Sequence, residues 1–336
     1  MPKRQLCVII PAFNEEVVIG ETLRKLKSVI KIENIFVVSD GSTDNTAQVV
    51  KSEKVAILAL KKNIGKAKAI ERLLEKYQLR ERYRYIFFCD ADSILSDNFL
   101  RAIKPHLNRK NACVVGRVAS RRYGFISAFR VFEYGFAHFI YKQAQAYIKA
   151  VTVAPGCSSI YRSEVLKKLD FNNGTLTEDY DLTIQIHKKS LGEIKYIHNA
   201  VVFTQDPGTL KDYWKQIQRW QIGYWQNFIL HKLWQPKKMM NLETILLLID
   251  SILGIGFLAF VIVTITTRYP FLISAYVFYT CTALVTIILL KQFWAIKYVP
   301  LFFSYYFVNL ASFVVAFYKA LFSKKTHSWN KVERFA

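Results

Sequence analysis

Cysteine, glycine, proline and acidic residues are all scarce in this chain, and each shortage excludes something. The five cysteines, Cys7, Cys89, Cys113, Cys157 and Cys281, share no paired spacing. Neither a zinc site nor a disulfide framework is expected, and free thiols in a reducing compartment are. With 13 glycines and 8 prolines in 336 residues, a collagen-like or low-complexity chain is excluded. Acids number 25 against 47 Lys and Arg, a net charge of +22, yet 52% of the chain is hydrophobic. That apolar content excludes disorder. A basic chain this apolar suits an anionic membrane surface rather than a nucleic acid, so no nucleic-acid partner is expected. No secretory leader is read either, because Pro11 stops the first apolar run, Leu6–Ile10, too early.

The charge is unevenly spread. From Leu242 to Ala336 the only acids are Glu243, Asp250 and Glu333. Three apolar segments there, Thr244–Thr267, Pro270–Leu290 and Phe293–Phe322, each reach the ~20 residues that span a bilayer. The expected organisation is a cytoplasmic domain over 1–240, a transmembrane region over 241–322 with about three spans, and a basic tail over 323–336. Lys324, Lys325, Lys331 and Arg334 in that tail favour the cytoplasm. Three crossings would put them outside, so one segment is expected to be re-entrant or interfacial, with Phe293–Tyr298 before Pro300 the place. Asp250 is either an acid buried in a span, which marks function, or, as its place near one end favours, an acid at headgroup level.

In the front part, Leu6–Ile10, Ile35–Ser39, Val55–Leu60 and Tyr85–Cys89 are short apolar runs of the kind that form buried parallel strands. Amphipathic stretches over Val17–Ile30, from Thr46 and over Asn63–Tyr77 alternate with them. The rhythm predicts an open parallel α/β sheet, whose ligands sit at the carboxyl ends of the strands. Three acidic clusters fall at such ends.

Between Ser120 and Ala150 the rhythm breaks. Phe125, Phe129, Phe132, Phe136 and Phe139 draw one stripe at helical spacing. Arg121, Arg122, Arg130, Lys142 and Lys149 lie on or beside it. A core helix carries a similar stripe; the basic flanks favour an interfacial helix over about 120–150. A second interfacial helix is expected over 210–234, bearing Trp214, Trp220, Trp225 and Trp234.

Individually the polar motifs are ambiguous. Asp90-Ala-Asp92 after a strand can hold a divalent cation through oxygen ligands, but Asp pairs also occur there by chance. Asp40-Gly-Ser-Thr-Asp44 reads equally as a turn and helix cap. Asn63-Ile-Gly-Lys66 is either an anion-accepting loop or a helix start. Glu178-Asp179 suits a helix N-terminus capped by Thr177, and adjacent like charges there raise a carboxylate pKa. Gln216, Arg219 and Trp220 share one helix face, where an Arg forks onto phosphate and a Trp ring stacks on a sugar.

In order, Pro11-Ala-Phe-Asn-Glu-Glu16, Val38-Ser-Asp-Gly-Ser-Thr-Asp44, Asn63-x-Gly-Lys-Ala67, Asp90-x-Asp92, Thr177-Glu-Asp179 and Gln216-Ile-Gln-Arg-Trp220 resemble the family 2 inverting glycosyltransferases. The last two motifs are similar to the membrane-embedded processive branch, the cellulose, chitin, hyaluronan and poly-N-acetylglucosamine synthases. The resemblance covers about residues 5–235. It implies a nucleotide-sugar-binding A-type, Rossmann-like fold, with interfacial helices and C-terminal transmembrane helices. It places Pro11, Asn14, Glu15, Asp40, Lys66, Asp90 and Arg219 around a UDP-sugar donor, and Asp92 on Mg²⁺ or Mn²⁺. Asp179 becomes the general base with Glu178 beside it; Gly156, Ser158, Gln216 and Trp220 meet the acceptor.

The chain also departs from that branch. No spans precede the catalytic motifs, and at most three follow, too few for one chain to enclose a polymer channel; an accessory membrane subunit, self-association or a different job altogether are the alternatives. The leading expectation is a cell-membrane enzyme extending a β-linked polysaccharide at the cytoplasmic face, with UDP-N-acetylglucosamine as donor. The alternative is a single transfer onto a lipid acceptor such as ceramide, diacylglycerol or a polyprenyl phosphate. A non-catalytic scaffold binding membrane lipids would not require Asp40, Asp92 and Asp179 together.

Overall fold

A computed structural model describes residues 3–121, 124–235, 239–264 and 269–322. The basic tail over 323–336, Arg122 and the side chain of Asp250 lie outside the described residues. The strands are β1 Arg4–Ala12, β2 Ile35–Ser39, β3 Ala56–Ala59, β4 Tyr83–Phe88, β5 Ile94–Leu95, β6 Asn111–Ser120, β7 Ser159–Arg162 and β8 Glu193–Thr204. The first helices are α1 Ile19–Lys27, α2 Thr46–Ser52, α3 Lys66–Lys76, α4 Leu79–Arg82, α5 Phe99–Ile103, α6 Phe125–Phe136 and α7 Lys142–Tyr147. The remainder are α8 Ser163–Leu166, α9 Glu178–Lys188, α10 Leu210–Leu230, α11 Met239–Thr264, α12 Tyr269–Leu289 and α13 Phe302–Phe322.

Among the described residues, eight strands form one sheet in the order β3-β2-β1-β4-β7-β6-β8-β5. The four expected strands are present and mutually parallel. The sheet as a whole is nevertheless mixed, which corrects the all-parallel expectation: β7 runs antiparallel to both β4 and β6, and β5 antiparallel to β8. Successive side chains of a strand point to opposite faces, and β1 divides its run accordingly. Cys7 and Ile9 pack under α3, α8 and α9, while Val8 and Ile10 pack under α1, α2 and α5. A continuous apolar strand is thus explained by two covered faces.

Gly41, directly after β2, has φ +70, and a Cβ there would lie 2.3 Å from the Asn63 nitrogen. Only glycine lets these two loops touch. Cys7, Cys89, Cys113 and Cys157 are free and buried, and Cys281 is free and exposed.

The phenylalanine helix needs a correction. Phe125, Phe129, Phe132 and Phe136 face protein, packing on α12, α13 and the 3₁₀ turn Phe293–Leu301. Fully burying such a ring stabilises by about 1.5–3 kcal/mol. Phe139 leaves the stripe because Ala137–Tyr141 is a π-helical turn, whose wider winding rotates it away to lie edge-on to His198. The tryptophan helix forms as α10, ending at Leu230.

Helices occupy most of the described residues of all three C-terminal apolar segments. Among the described residues, Phe293–Phe322 is the one long and apolar enough to cross a membrane, and Ile273–Leu289 is a shorter apolar helix. Helix α13 turns polar groups toward α10: Gln218 Nε2 donates to Ser312 Oγ at 2.8 Å, and Lys319 Nζ to Gln218 Oε1 at 3.2 Å.

Candidate active site

The site begins at the carboxyl ends of β1, β2 and β4. Asn14 takes φ 55 just after β1 and ties that loop to the next: its Oδ1 accepts the Thr43 amide at 2.8 Å, and its own amide donates to Ser42 Oγ at 3.0 Å. Asp40, at the end of β2, accepts the amides of Ile64 and Gly65 at 2.8 and 2.9 Å. Burial pushes its pKa up against these two bonds. Asp40 thereby fixes the turn that starts α3, whose first residue is Lys66.

Lys66 is the junction. Its Nζ lies 2.8 Å from Asp90 Oδ1 and 2.9 Å from Glu178 Oε1. Burial lowers an ammonium pKa, but Asp90, Glu178 and Asp179 together raise this one. A cation in the first turn of a helix opposes the helix dipole; these acids compensate it. Asp92 accepts Thr204 Oγ1 from the end of β8 at 3.1 Å.

Glu178 and Asp179 open α9. Thr177 holds the cap position, but its hydroxyl accepts Asn227 Nδ2 at 3.1 Å and does not cap the helix. Asp179 accepts the Gly156 amide at 3.2 Å and the Tyr180 amide at 2.9 Å. Its pKa is pushed up to about 6, first by burial and next by the charge of Glu178, while Lys66 and the two amides hold it down. An acid so placed is mostly ionised at neutral pH and still able to accept a proton.

A cavity of about 510 Å³ joins these groups. Lys66, Asp90 and Asp92 line one side, Gly156, Glu178 and Asp179 another, and Gln216, Arg219 and Trp220 on α10 a third. Pro11, Asn14, Glu15, Asp40 and Ser158 are not in the lining. Pro11 pairs with Val38 in the sheet, and Glu15 is buried, its amide donating to Thr46 Oγ1 at 2.7 Å. Ser158 is fully buried, with its hydroxyl donating to Gly116 O at 3.1 Å. Of the three aspartates expected together, Asp92 and Asp179 face the cavity, and Asp40 acts behind it through the Lys66 turn.

The sequence reading missed Tyr134, His138, Val153, Leu176 and Phe313, all of which line the cavity. Burial keeps His138 neutral, far below the usual histidine pKa. Its Nε2 accepts the Val118 amide at 3.4 Å, which assigns the proton to Nδ1, 3.1 Å from Tyr196 Oη. The only sequence signal was the i, i+4 spacing of Tyr134 and His138, hidden among the phenylalanines.

Asp90 and Asp92 offer hard oxygen donors to a divalent cation, and no group of three His, Cys, Asp or Glu that could hold a metal occurs among the described residues. That set suits Mg²⁺ or Mn²⁺, which keep water and substrate phosphate oxygens in most positions and need one or two protein carboxylates. The residues present fit such an ion, with Asp92 as its carboxylate ligand and Asp90 beside it.

Known proteins resemble this chain over most of its length. Residues 7–170 match the family described as Glycosyl transferase family 2. The poly-beta-1,6-N-acetyl-D-glucosamine synthase of Staphylococcus epidermidis is 25% identical, covering 97% of this chain and 86% of its own. Its counterpart from Staphylococcus aureus strain COL is 24% identical over 74% of this chain and 61% of its own. Among solved structures, the mannosyltransferase PcManGT from Pyrobaculum calidifontis, in complex with GDP-Man and Mn²⁺, superposes with a TM-score of 0.61 at 16% identity. It covers 97% of this chain and 89% of its own, and shares the glycosyltransferase A-type α/β fold with its curled mixed sheet. Residues 7–170 thus form a family 2 glycosyltransferase domain, and the protein is a glycosyltransferase.

Proposed function

We propose that this enzyme transfers N-acetylglucosamine from UDP-N-acetylglucosamine to the growing end of a β-linked polysaccharide, at the cytoplasmic face of a membrane. The observation that carries the reading is one cavity that holds a carboxylate tuned to about 6, a pair of strand-end aspartates and an Arg–Trp pair on a neighbouring helix. The synthase relatives support the polymer and the donor sugar.

In this reading Asp179 accepts the proton of the acceptor hydroxyl as its oxygen attacks the anomeric carbon. The new carbon–oxygen bond forms on the face opposite the departing UDP, which inverts the configuration. Arg219 and Lys66 lie at the diphosphate, where positive charge is worth most as the leaving group develops negative charge. A divalent cation at Asp92, when bound, adds charge neutralisation there. Trp220 offers the acceptor sugar a flat apolar face, with Gly156 and Gln216 beside it. Pro11, Asn14, Glu15 and Asp40 shape the nucleoside end by holding the first loops in place, and Ser158 holds β7 against β6. The C-terminal helices attach the domain to the bilayer, with a second copy or an accessory subunit completing any channel.

A second reading, one sugar placed on a lipid, is favoured by the apolar wall of Val153, Leu176 and Phe313. Purified protein incubated with radiolabelled UDP-N-acetylglucosamine and Mg²⁺ or Mn²⁺ separates the two. A ladder lengthening with time supports the synthase, and one sugar in an organic-extractable product supports the lipid acceptor. Absence of UDP release would overturn this donor.

A further inference from the structure

Arg130 belongs to no motif and does not line the cavity, yet its side chain is only 3% exposed. A guanidinium taken out of water is costly unless its donors are used and its charge is paired. Nη1 donates to Glu133 Oε2 at 2.7 Å, and Nη2 donates to Gln216 Oε1. The guanidinium carbon lies 4.8 Å from the centre of the Trp220 ring and 4.6 Å from that of Tyr213. Gln216 and Trp220 both face the cavity, so one planar group holds two cavity-lining side chains from behind.

Glu133 is itself held from another direction. Its Oε1 accepts Asn309 Nδ2 of α13 at 2.9 Å, and Tyr213 Oη donates to Asn309 Oδ1 at 2.7 Å. The two terminal nitrogens of the fork are thereby held, one on Glu133 and one on the Gln216 amide, with the guanidinium carbon over the indole. A lysine would keep the charge but could neither bond on two edges nor stack.

We propose that Arg130 is a positioning residue, which sets the Gln216 amide and the Trp220 ring for the acceptor sugar and takes its own place from Glu133 and Asn309. The proposal rests on the reading of Trp220 as the acceptor platform. A loosened platform costs productive acceptor binding and leaves donor binding alone.

The test uses full-length enzyme, UDP-N-acetylglucosamine and a soluble β-1,6-linked N-acetylglucosamine trisaccharide as acceptor probe. Arg130→Lys is expected to raise acceptor KM about ten-fold, with kcat within about three-fold and UDP affinity by calorimetry within about two-fold. In a Trp220→Ala background the same change should add nothing, since coupled residues are not additive. An unchanged KM, a parallel fall in kcat, or full additivity with Trp220→Ala overturns the role of Arg130 alone. An unchanged acceptor KM in Trp220→Ala by itself overturns the platform reading and the proposal with it. Should Arg130→Lys aggregate, the pair Arg130→Gln with Glu133→Gln removes both charges together and is read in the same way.

Discussion

The two halves of the sheet are built by different rules. On one side, β3, β2, β1 and β4 are parallel, and β1, β2 and β4 lead into the acids that the sequence makes visible. On the other, β7, β6, β8 and β5 are mixed in direction and drawn from residues 94 to 204. Neither half holds the chemistry alone. The first contributes Lys66, Asp90 and Asp92, the second Glu178 and Asp179, and the Lys66 ammonium bonds across the seam to both Asp90 and Glu178. The strand-end acids can thus be read locally, whereas their meeting with Glu178, Asp179 and the α10 side chains in one cavity depends on long-range packing.

The largest expected effect breaks the second half alone. On the proposed reading, Asp179→Asn removes the base and spares the donor side, so it should lower kcat by about 10²–10⁴-fold while calorimetric UDP affinity holds. Next comes the seam. Lys66→Met should lower the rate at pH 7 by tens of fold, and it removes a charge that holds the Asp179 pKa down. The acid limb of the pH–rate profile should therefore move to higher pH, the opposite of what loss of a carboxylate neighbour would do. Gly223→Ala should cost less, about ten-fold in rate. A Cβ there would meet Thr177 Oγ1 at 2.4 Å and push aside the start of α9. Unchanged kinetics would show that the α9–α10 contact does not place Asp179.

The smallest effect is one of stability. Burial pushes Asp206 up to about 7 from an ordinary 3.8. Between those values the folded chain holds a proton that the unfolded chain has released, so stability from this group falls as pH rises. Asp206→Asn should raise Tm at pH 8 by a few degrees relative to the parent, with the gap narrowing at pH 5 and closing toward pH 4. An equal gap at pH 8 and toward pH 4 would contradict that proton's role.

How much of this was legible follows the same division. Ile35–Ser39 was read to the residue because an unbroken apolar run between polar turns leaves little choice. The Asp90-Ala-Asp92 turn and the Glu178–Asp179 helix start were also visible. The direction of β7 was not, because Ser159–Arg162 is four residues long and direction is set by the strands it enters between. Phe139 was misplaced because a π turn adds a residue without marking the sequence. Arg130 was read as a basic flank, since nothing in composition tells a solvated arginine from one buried beneath an indole. Ser158 was assigned to the acceptor by resemblance, yet its hydroxyl is taken by the β6 backbone.

The central claim is that Asp179, tuned by burial and by Glu178, accepts the acceptor's proton. The pH dependence of kcat for transfer, measured from pH 4.5 to 8.5 in the parent and in Asp179→Asn, tests it most directly. The account predicts an acid limb near pH 6 in the parent and a residual rate without that limb in the variant. A limb that survives in Asp179→Asn, or a parent rate that stays flat down to pH 4.5 as an aspartate at its ordinary 3.8 would leave it, would contradict it.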